Sequence, residues 1–188
     1  MGIEWEWHEG DAMGAGDGLC QLHGRTHALL SGERTALNFL QTLGATATIT
    51  NAYVAAVAGT GAAILDTRKT LPGLRQAQKY AVRVGGGRNH RMGLYDAMML
   101  KENHIIAAGS LAAAVRQARA AHPDLPLIVE VENLDEFDQA LVARPDRILL
   151  DEFSPEDLRE PVRHTARRVA RAVSGATGPG GPPDRAQA

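Results

Sequence analysis

From about residue 59 onward, short apolar runs alternate with stretches of helical periodicity, and this alternation restricts the possible folds more than any other feature. The apolar runs predict strands at 62–66, 97–100, 127–131 and 148–150. Helices are predicted at 74–84, from Ser110 to about His122, and at 134–142. Ser154 and Pro155 begin a further helix, which Pro161 should kink or end. Such βα repetition predicts a parallel sheet, either open or closed into a barrel.

The first 58 residues follow a different pattern. Turn residues separate short apolar pieces in residues 1–31, so we expect a small sheet there, with Trp5 and Trp7 in a half-buried strand. A helix should begin near Ser31 and be interrupted at Gly44, and a second helical piece should run over 46–57.

Composition excludes several classes of function. The net charge of −2 argues against general binding to nucleic acid or to acidic membranes, so any basic patch must be local. The single cysteine, Cys20, allows no internal disulfide, receives no catalytic role and fits a reducing cytosol. The acidic start is not a secretory signal, and no apolar run approaches the roughly 20 residues of a membrane span. We therefore expect a soluble cytoplasmic protein.

Charged residues fall at or just beyond the carboxyl ends of the predicted strands. They are Arg68, Lys69, Lys101, Glu130 and Asp151. In a βα barrel these strand ends share one rim, and that rim carries the chemistry. Cations and carboxylates from distant positions should therefore converge on one mouth, although surface salt bridges could produce a similar pattern by chance.

A glycine run, Gly85-Gly86-Gly87, precedes a second basic cluster formed by Arg88, His90 and Arg91. Glycines allow the backbone to approach a ligand closely, and guanidinium groups match carboxylate and phosphate oxygens. The stretch 64–104 is therefore interpreted as a cradle for a substrate with several negative charges. Arg75, Lys79 and Arg83 have helical spacing and are expected to form a solvated helix face.

The segments DTRKTLPGLR and GGGRNHRMGLYDAMMLKENH resemble the quinolinate phosphoribosyltransferase family, also called nicotinate-nucleotide pyrophosphorylase (carboxylating). The resemblance extends to ERTALNFLQTLGATAT upstream and to VEVENLDEF and ILLDEFSPEDLR downstream, covering about residues 8–165. It implies an α/β fold with an incomplete βα barrel of the type II phosphoribosyltransferase kind, preceded by part of an α/β sandwich domain. The implied domains are 1–58 for the partial sandwich, 59–173 for the partial barrel and 174–188 for a disordered Gly/Pro-rich tail.

The activity that the resemblance implies is the conversion of quinolinate and phosphoribosyl pyrophosphate to nicotinate mononucleotide, pyrophosphate and carbon dioxide, in de novo NAD biosynthesis. The enzyme class is a pentosyltransferase. The alternative from another class is an inactive remnant that only binds carboxylate or phosphate ligands. A phosphoribosyltransferase acting on nicotinate is a third, weaker alternative.

The resemblance also implies the site residues. Lys69, Glu130 and Asp151 are the implied catalytic residues, and Glu130 and Asp151 would hold Mg²⁺, with Glu132 as a competitor for Glu130. The implied substrate-binding residues are Arg34, Thr67, Arg68, Lys69, His90, Arg91, Lys101, Glu130 and Asp151. For His90, a purely structural role in bracing its loop is left open. Arg34 would enter the partner's site, which implies a homodimer or a larger homo-oligomer.

Three departures from the family pattern are present. The chain is expected to begin within the family's N-terminal domain, and Asp151-Glu152 stands where the family has Asp-Asn. Similarity is expected to fade after about Thr165, with Ser174-Gly175-Ala176 retaining only a vestige of the family's phosphate loop. These departures keep the inactive remnant as an alternative.

Overall fold

The computed structural model describes residues 1–165 and 169–174. The chain divides into two compact units, Met1–His90 and Arg91–Ala188. The domain boundary expected at residues 58/59 stays a prediction, and residues 175–188 of the expected tail lie outside the described residues. Within the described ranges, no helix has both the length and the apolar character that crossing a membrane requires.

The first unit begins with a two-stranded antiparallel ribbon. Strand β1 (Gly2–Trp5) pairs with β2 (Cys20–His23), which confirms the small sheet expected near the N-terminus. The half-buried strand expected with Trp5 and Trp7 is wrong for Trp5, because all four residues of β1 are exposed and Trp5 retains 56% of its surface, whereas Trp7 is partly buried beyond the end of the strand. A ribbon of two strands provides only one layer, so alternation alone did not guarantee a buried face.

Helix α1 (Thr26–Ala56) is one continuous helix of 31 residues, so the predicted start near Ser31 and the break at Gly44 are both wrong. The Ser31 hydroxyl donates to the His27 carbonyl at 2.7 Å, which is a bond inside a helix and not a cap. Glycine in a helix interior costs only about 1 kcal/mol relative to alanine, and the remaining turns of α1 tolerate that cost.

Helix α2 (Arg75–Val84) packs against α1 and ends at the glycine run. A Cβ atom on Gly85 would lie 2.8 Å from Thr50 Cβ, and one on Gly87 would lie 2.9 Å from Thr50 Cγ2. Real Cβ atoms do not approach so closely. A side chain at Gly85 or Gly87 would therefore collide with α1, which the chain after α2 passes closely, and the interpretation of these glycines as a point of close ligand approach stays a prediction.

The strand predicted at 62–66 reduces to a single parallel bridge between Leu65 and Arg88. The Arg88 N–H donates to the Ile64 carbonyl at 2.8 Å, and the Asp66 N–H donates to the Arg88 carbonyl at 3.1 Å. This bridge nevertheless holds the chain that follows residue 64 beside the chain that follows the glycine run.

The second unit is a four-stranded parallel sheet with helices between its strands, as the βα repetition predicted. Its strands are β3 (Met98–Leu100), β4 (Leu127–Val131), β5 (Arg147–Asp151) and β6 (Ala170–Ser174), in that spatial order. Its helices are α3 (Glu102–Ala108), α4 (Leu111–Ala121), α5 (Leu134–Ala143) and α6 (Pro155–Thr165). The predicted elements from β3 to β5 are confirmed to within two residues, whereas α3 was not predicted.

Hydroxyl caps begin two of these helices as expected. The Ser110 Oγ accepts from the Ala113 N–H at 3.2 Å, and the Ser154 Oγ accepts from the Asp157 N–H at 3.1 Å. Pro161 lies inside α6 but does not end it, since the helix continues to Thr165. The Pro161 carbonyl accepts from Arg171 Nη1 at 3.0 Å, so a side chain of β6 satisfies a backbone group at this point of the helix.

The hydrophobic core lies on one face of the parallel sheet. Leu127, Val129 and Val131 of β4 are fully buried there, beside alternate residues of β5 and apolar residues of the helices. Side chains alternate between the two faces of a strand, so Ile128 and Glu130 project from the opposite face. Packing of one face against the helices therefore determines which residues the other face presents.

Candidate active site

The carboxyl ends of the four parallel strands bring polar residues together on the face opposite the core. Glu130 of β4 lies opposite Leu149, and Asp151, two residues further along β5, lies opposite Ser174 of β6. Leu100 lies opposite Val129, so Lys101 follows at the level of Glu130. Directly paired residues of parallel strands share a face, and residues two apart do also. Lys101, Glu130, Asp151 and Ser174 therefore share one edge of the sheet.

Lys101 and Glu130 form a two-pronged ion pair. The Lys101 ammonium lies 2.7 and 2.9 Å from the two carboxylate oxygens of Glu130. The Lys101 backbone is fixed at the start of α3, because its N–H donates to His104 Nδ1 at 3.1 Å and its carbonyl accepts from the His104 N–H at 2.8 Å. The start of α3 thus fixes the Lys101 backbone, and Glu130 binds its ammonium.

Asp151 accepts a hydrogen bond from the Ser174 hydroxyl, and the Ser174 carbonyl accepts from the Glu152 N–H at 3.2 Å. Sequence reasoning treated Ser174 only as a remnant of a phosphate loop. The signal that was missed is the short run of Ala172 and Val173 before it, which forms the fourth parallel strand.

Glu132 lies beyond the end of β4 and is exposed. Its N–H donates to Glu136 Oε2 at 3.0 Å, which joins it to the first turn of α5. It lines an open cavity of about 330 Å³ whose other lining residues are Asn133, Leu134, Asp135, Glu152, Phe153, Ser154 and Asp157. Glu132 therefore belongs to a different surface feature from the Lys101–Glu130 pair.

Arg91 begins the second unit and is half-buried. Its guanidinium contacts Met99 of β3 and Ala97, the residue that precedes β3. Its Nη1 donates to the Ala97 carbonyl at 3.3 Å, and its Nη2 lies 3.3 Å from Met99 Sδ. Met99 lies opposite Ile128 and so shares the face of Glu130. The Arg91 guanidinium is therefore directed to the face on which Lys101 and Glu130 lie.

In the first unit, Thr67, Arg68 and Lys69 form a tight turn. The Thr67 hydroxyl accepts from the Lys69 N–H at 3.0 Å, and the Arg68 carbonyl accepts from the Thr70 N–H at 3.0 Å. Arg75 supports the turn, because its guanidinium donates to the Arg68 carbonyl at 3.2 Å and to Thr70 Oγ1 at 3.3 Å.

The side chains of Arg68 and Lys69 carry two positive charges on neighbouring residues. Among the residues that the structure describes, neither side chain makes a hydrogen bond or an ion pair with another residue. The nearest carboxylate in sequence, Asp66, is already paired with Lys79. The turn therefore presents uncompensated positive charge, which is what binding of an anion requires.

The prediction that Lys79 lies on a solvated helix face is wrong. The Lys79 side chain is 1% exposed, and its ammonium pairs with the Asp66 carboxylate, which is 5% exposed. The Lys79 ammonium also donates to the His90 carbonyl at 3.1 Å, and the His90 N–H donates to Asp66 Oδ1 at 2.8 Å. The pair therefore links the residues before Thr67 to the main chain of His90.

Arg34 lies on α1 and is exposed, with no hydrogen bond or ion pair in the described parts of the chain. Exposed apolar side chains lie on the same helix, at Leu30, Leu37 and Leu40. The structure thus gathers Thr67, Arg68, Lys69 and His90 within the first unit, and Arg91, Lys101, Glu130 and Asp151 within the second. Arg34 belongs to the first unit, on α1.

Comparison with known protein families identifies the chain. The quinolinate phosphoribosyl transferase C-terminal domain matches residues 46–179, and the N-terminal domain of the same enzymes matches residues 1–43. The chain belongs to the quinolinate phosphoribosyl transferase family. The match extends to residue 179, so the expectation that similarity fades after Thr165 is wrong. Strand β6, which follows Thr165, is consistent with this longer match.

Individual relatives agree with the family assignment. The chain is 50% identical over 145 residues to the nicotinate-nucleotide pyrophosphorylase (carboxylating) of Mycobacterium leprae, covering 77% of this chain and 51% of that protein. It is 43% identical over 168 residues to the probable nicotinate-nucleotide pyrophosphorylase (carboxylating) of Bacillus subtilis, covering 89% of this chain and 58% of the relative. The chain thus spans little more than half the length of these quinolinate phosphoribosyl transferase relatives.

A solved structure of the family matches the fold. The nicotinate-nucleotide pyrophosphorylase from Francisella tularensis superposes with a TM-score of 0.95 at 44% identity, over 99% of this chain and 66% of that one. This likeness supports the predicted fold class of an α/β protein with an incomplete βα barrel.

Proposed function

We propose that this chain functions as a quinolinate phosphoribosyltransferase, a pentosyltransferase that makes nicotinate mononucleotide for NAD biosynthesis. The observation that carries the proposal is the edge of the parallel sheet where the Lys101–Glu130 pair and Asp151 share one face. In the reaction, the pyridine nitrogen of quinolinate forms a bond to the anomeric carbon of the ribose, and the bond from that carbon to pyrophosphate breaks. One ring carboxylate then leaves as carbon dioxide, and a proton from solvent takes its place on the ring carbon.

On the donor side, Glu130 and Asp151 would hold Mg²⁺ or the ribose hydroxyls. Magnesium typically takes one or two protein carboxylates and completes its shell with water and phosphate oxygens. Two carboxylates on one face of adjacent strands fit that requirement, although the described residues contain no group of three or more acidic, histidine or cysteine side chains arranged for a metal. A bound Mg²⁺ would neutralise charge on the departing pyrophosphate.

On the acceptor side, quinolinate carries two carboxylates, which suit planar guanidinium partners. Arg68, Arg91 and the partner's Arg34 are the proposed partners, with Thr67 and His90 in the same substrate-binding set. Lys69 and Lys101 are point charges that suit phosphate, pyrophosphate or the second carboxylate. These groups act by positioning the substrates and by stabilising developing negative charge, so no covalent nucleophile is required.

The proposed enzyme is a homodimer and acts in the cytoplasm. Arg34 is exposed on α1 together with Leu30, Leu37 and Leu40, and exposed apolar residues around a cation suit a subunit interface better than solvent. A shared site would give the exposed Arg34 side chain a partner.

The decisive experiment measures release of carbon dioxide and pyrophosphate from quinolinate and phosphoribosyl pyrophosphate, with and without Mg²⁺. We expect release that depends on Mg²⁺ and is reduced at least 100-fold by Glu130→Gln or Asp151→Asn, since electrostatic groups contribute on the order of 100-fold each. Glu132→Gln serves as the matched control, because Glu132 lies beyond the end of β4 and lines a cavity that does not include Glu130 or Asp151. Binding of quinolinate without product release would favour a ligand-binding protein over the enzyme.

A further inference from the structure

We propose that the buried Asp66–Lys79 ion pair is a positioning device for the acceptor side of the site, and this inference depends on the function proposed above. The pair joins the Thr67–Lys69 turn to the main chain of His90. The sequence pattern predicts only a solvated helix face for Lys79 and no function for Asp66. Both lie within the first unit of the chain, where all the contacts that carry the inference are found.

Both oxygens of the Asp66 carboxylate accept hydrogen bonds from groups of the protein. Its Oδ1 accepts from the Lys79 ammonium and, at 2.8 Å, from the His90 N–H, while its Oδ2 accepts from the Asn89 side-chain amide. With 5% of its side chain exposed, Asp66 has no surface left for substrate. Asp66 therefore acts on the loop and cannot act on a ligand directly.

The Lys79 ammonium completes the arrangement from the other side. It donates to the His90 carbonyl at 3.1 Å, and the Lys79 carbonyl accepts from the Asn89 side-chain amide at 2.8 Å. The N–H and the C=O of His90 are thus both bonded to the ion pair. Because α2 carries Lys79, the ion pair connects the main chain of His90 to that helix.

The pair also fixes the cationic turn. Asp66 immediately precedes Thr67, and its backbone N–H donates to the Arg88 carbonyl at 3.1 Å. Two segments that carry Thr67, Arg68, Lys69 and His90 are therefore held by one buried carboxylate. Pairs of buried charges contribute little net stability compared with apolar residues of similar size, but they specify a geometry. An acceptor site needs its cations held to within a fraction of an ångström, which gives such a pair a function.

Two variants distinguish a positioning role of the ion pair from a role in stability alone. Lys79→Met leaves the Asp66 carboxylate buried without its cation and should lower the melting temperature. Asp66→Asn with Lys79→Met removes both charges and should recover most of that loss. Arg83→Met, one turn further along α2 at an exposed position, is the matched control. It loses only the contact of the Arg83 guanidinium with the exposed Tyr80 ring, 5.6 Å away, and should keep wild-type amide exchange and quinolinate affinity.

The readouts are amide hydrogen exchange in the ligand-free chain and quinolinate affinity by calorimetry, both well below the melting temperatures. We expect the amides of Arg88 and His90 to exchange at least tenfold faster in both charge variants, while the Val129 amide of β4 is unchanged. We expect the dissociation constant for quinolinate to rise at least tenfold in both, even though the double variant regains stability. Recovery of affinity together with stability in the double variant would show that the pair is only structural and would overturn the inference.

The measurements distinguish failure of the proposed function from failure of the positioning role. If the wild-type chain does not bind quinolinate, the proposed acceptor is wrong, and faster exchange at Arg88 and His90 still establishes the pair as the device that holds this loop. Unchanged exchange at both amides in both variants overturns the positioning role whatever the affinity.

Discussion

The Lys101 ammonium contacts both carboxylate oxygens of Glu130, at 2.7 and 2.9 Å, but the two partners differ greatly in exposure. The Lys101 side chain is 50% exposed, whereas that of Glu130 is 11% exposed. A half-exposed ammonium can be solvated by water when its partner is removed, and a covered carboxylate cannot. The two halves of the pair should therefore respond unequally to substitution.

We expect Lys101→Met to lower the free energy of unfolding by about 1–3 kcal/mol, because it leaves a covered carboxylate without a donor. Glu130→Gln should cost less than about 1 kcal/mol, because the lysine left behind is solvated. Urea unfolding of both variants gives the comparison, with Glu132→Gln as an exposed control. A larger loss in Glu130→Gln than in Lys101→Met would contradict this assignment of the buried partner.

Glu152 adopts a left-handed backbone conformation, with φ at 53°. A side chain with a Cβ atom is strained there by about 1–2 kcal/mol, and asparagine tolerates the conformation better than glutamate. We expect Glu152→Asn to raise the free energy of unfolding by roughly 0.5–1 kcal/mol. The matched variant is Glu152→Gln, which removes the same charge from the acidic cavity but keeps the strain. Equal stabilisation by both variants would assign the gain to charge and not to the backbone.

The sequence predicted both ends of β4 correctly. Every residue of Leu127–Val131 except Glu130 is apolar, so the residues before and after Glu130 have to be buried. It also predicted that Lys101, Glu130 and Asp151 would lie at one edge, since parallel strands share their carboxyl ends. The pattern of apolar and charged residues along the chain was sufficient for both predictions.

Lys79 shows where local pattern fails. Its spacing on α2 is that of a solvated cation, and only the bridge between Leu65 and Arg88, formed by residues far apart in sequence, brings Asp66 to it. The glycine run makes a contact of the same kind, because Cβ atoms on Gly85 and Gly87 would meet Thr50 of another helix. Contacts that depend on tertiary pairing leave no periodic signal in the sequence.

Asp146, the residue before β5, bonds to two elements of the second unit, β4 and α4. Its carboxylate accepts from the Leu127 N–H at 2.6 Å and pairs with Arg119 at 2.8 Å. Partial burial raises the pKa of Asp146, but these hydrogen bonds and the Arg119 charge outweigh that effect, so the pKa lies below its usual value of 3.8. A lowered pKa in the folded state means that ionised Asp146 stabilises the fold.

We expect Asp146→Asn to cost about 0.5–1 kcal/mol at pH 7, a value limited by the half-exposed position of the carboxylate. The difference from the wild type should be constant above the usual aspartate pKa and should disappear as the pH falls through the lowered pKa of the folded state. Urea unfolding from pH 7 to acid provides the measurement, and Asp124→Asn at an exposed position is the control. A difference that persists unchanged in acid would show that ionisation of Asp146 is not its source.

Arg34 provides the test of a shared site. If each subunit lends Arg34 to the other's site, Arg34→Ala and Arg68→Ala chains should each be inactive alone, whereas their heterodimer contains one intact site. Equal mixing with free exchange should restore about a quarter of wild-type activity, since half of the dimers are mixed and each has one of two sites intact. A chain with both substitutions should instead halve the activity of wild-type subunits mixed with it in equal amount, because every mixed dimer then lacks an intact site. Sedimentation of the wild-type chain as a stable monomer, or no recovery on mixing despite demonstrated exchange, would place Arg34 outside the partner's site.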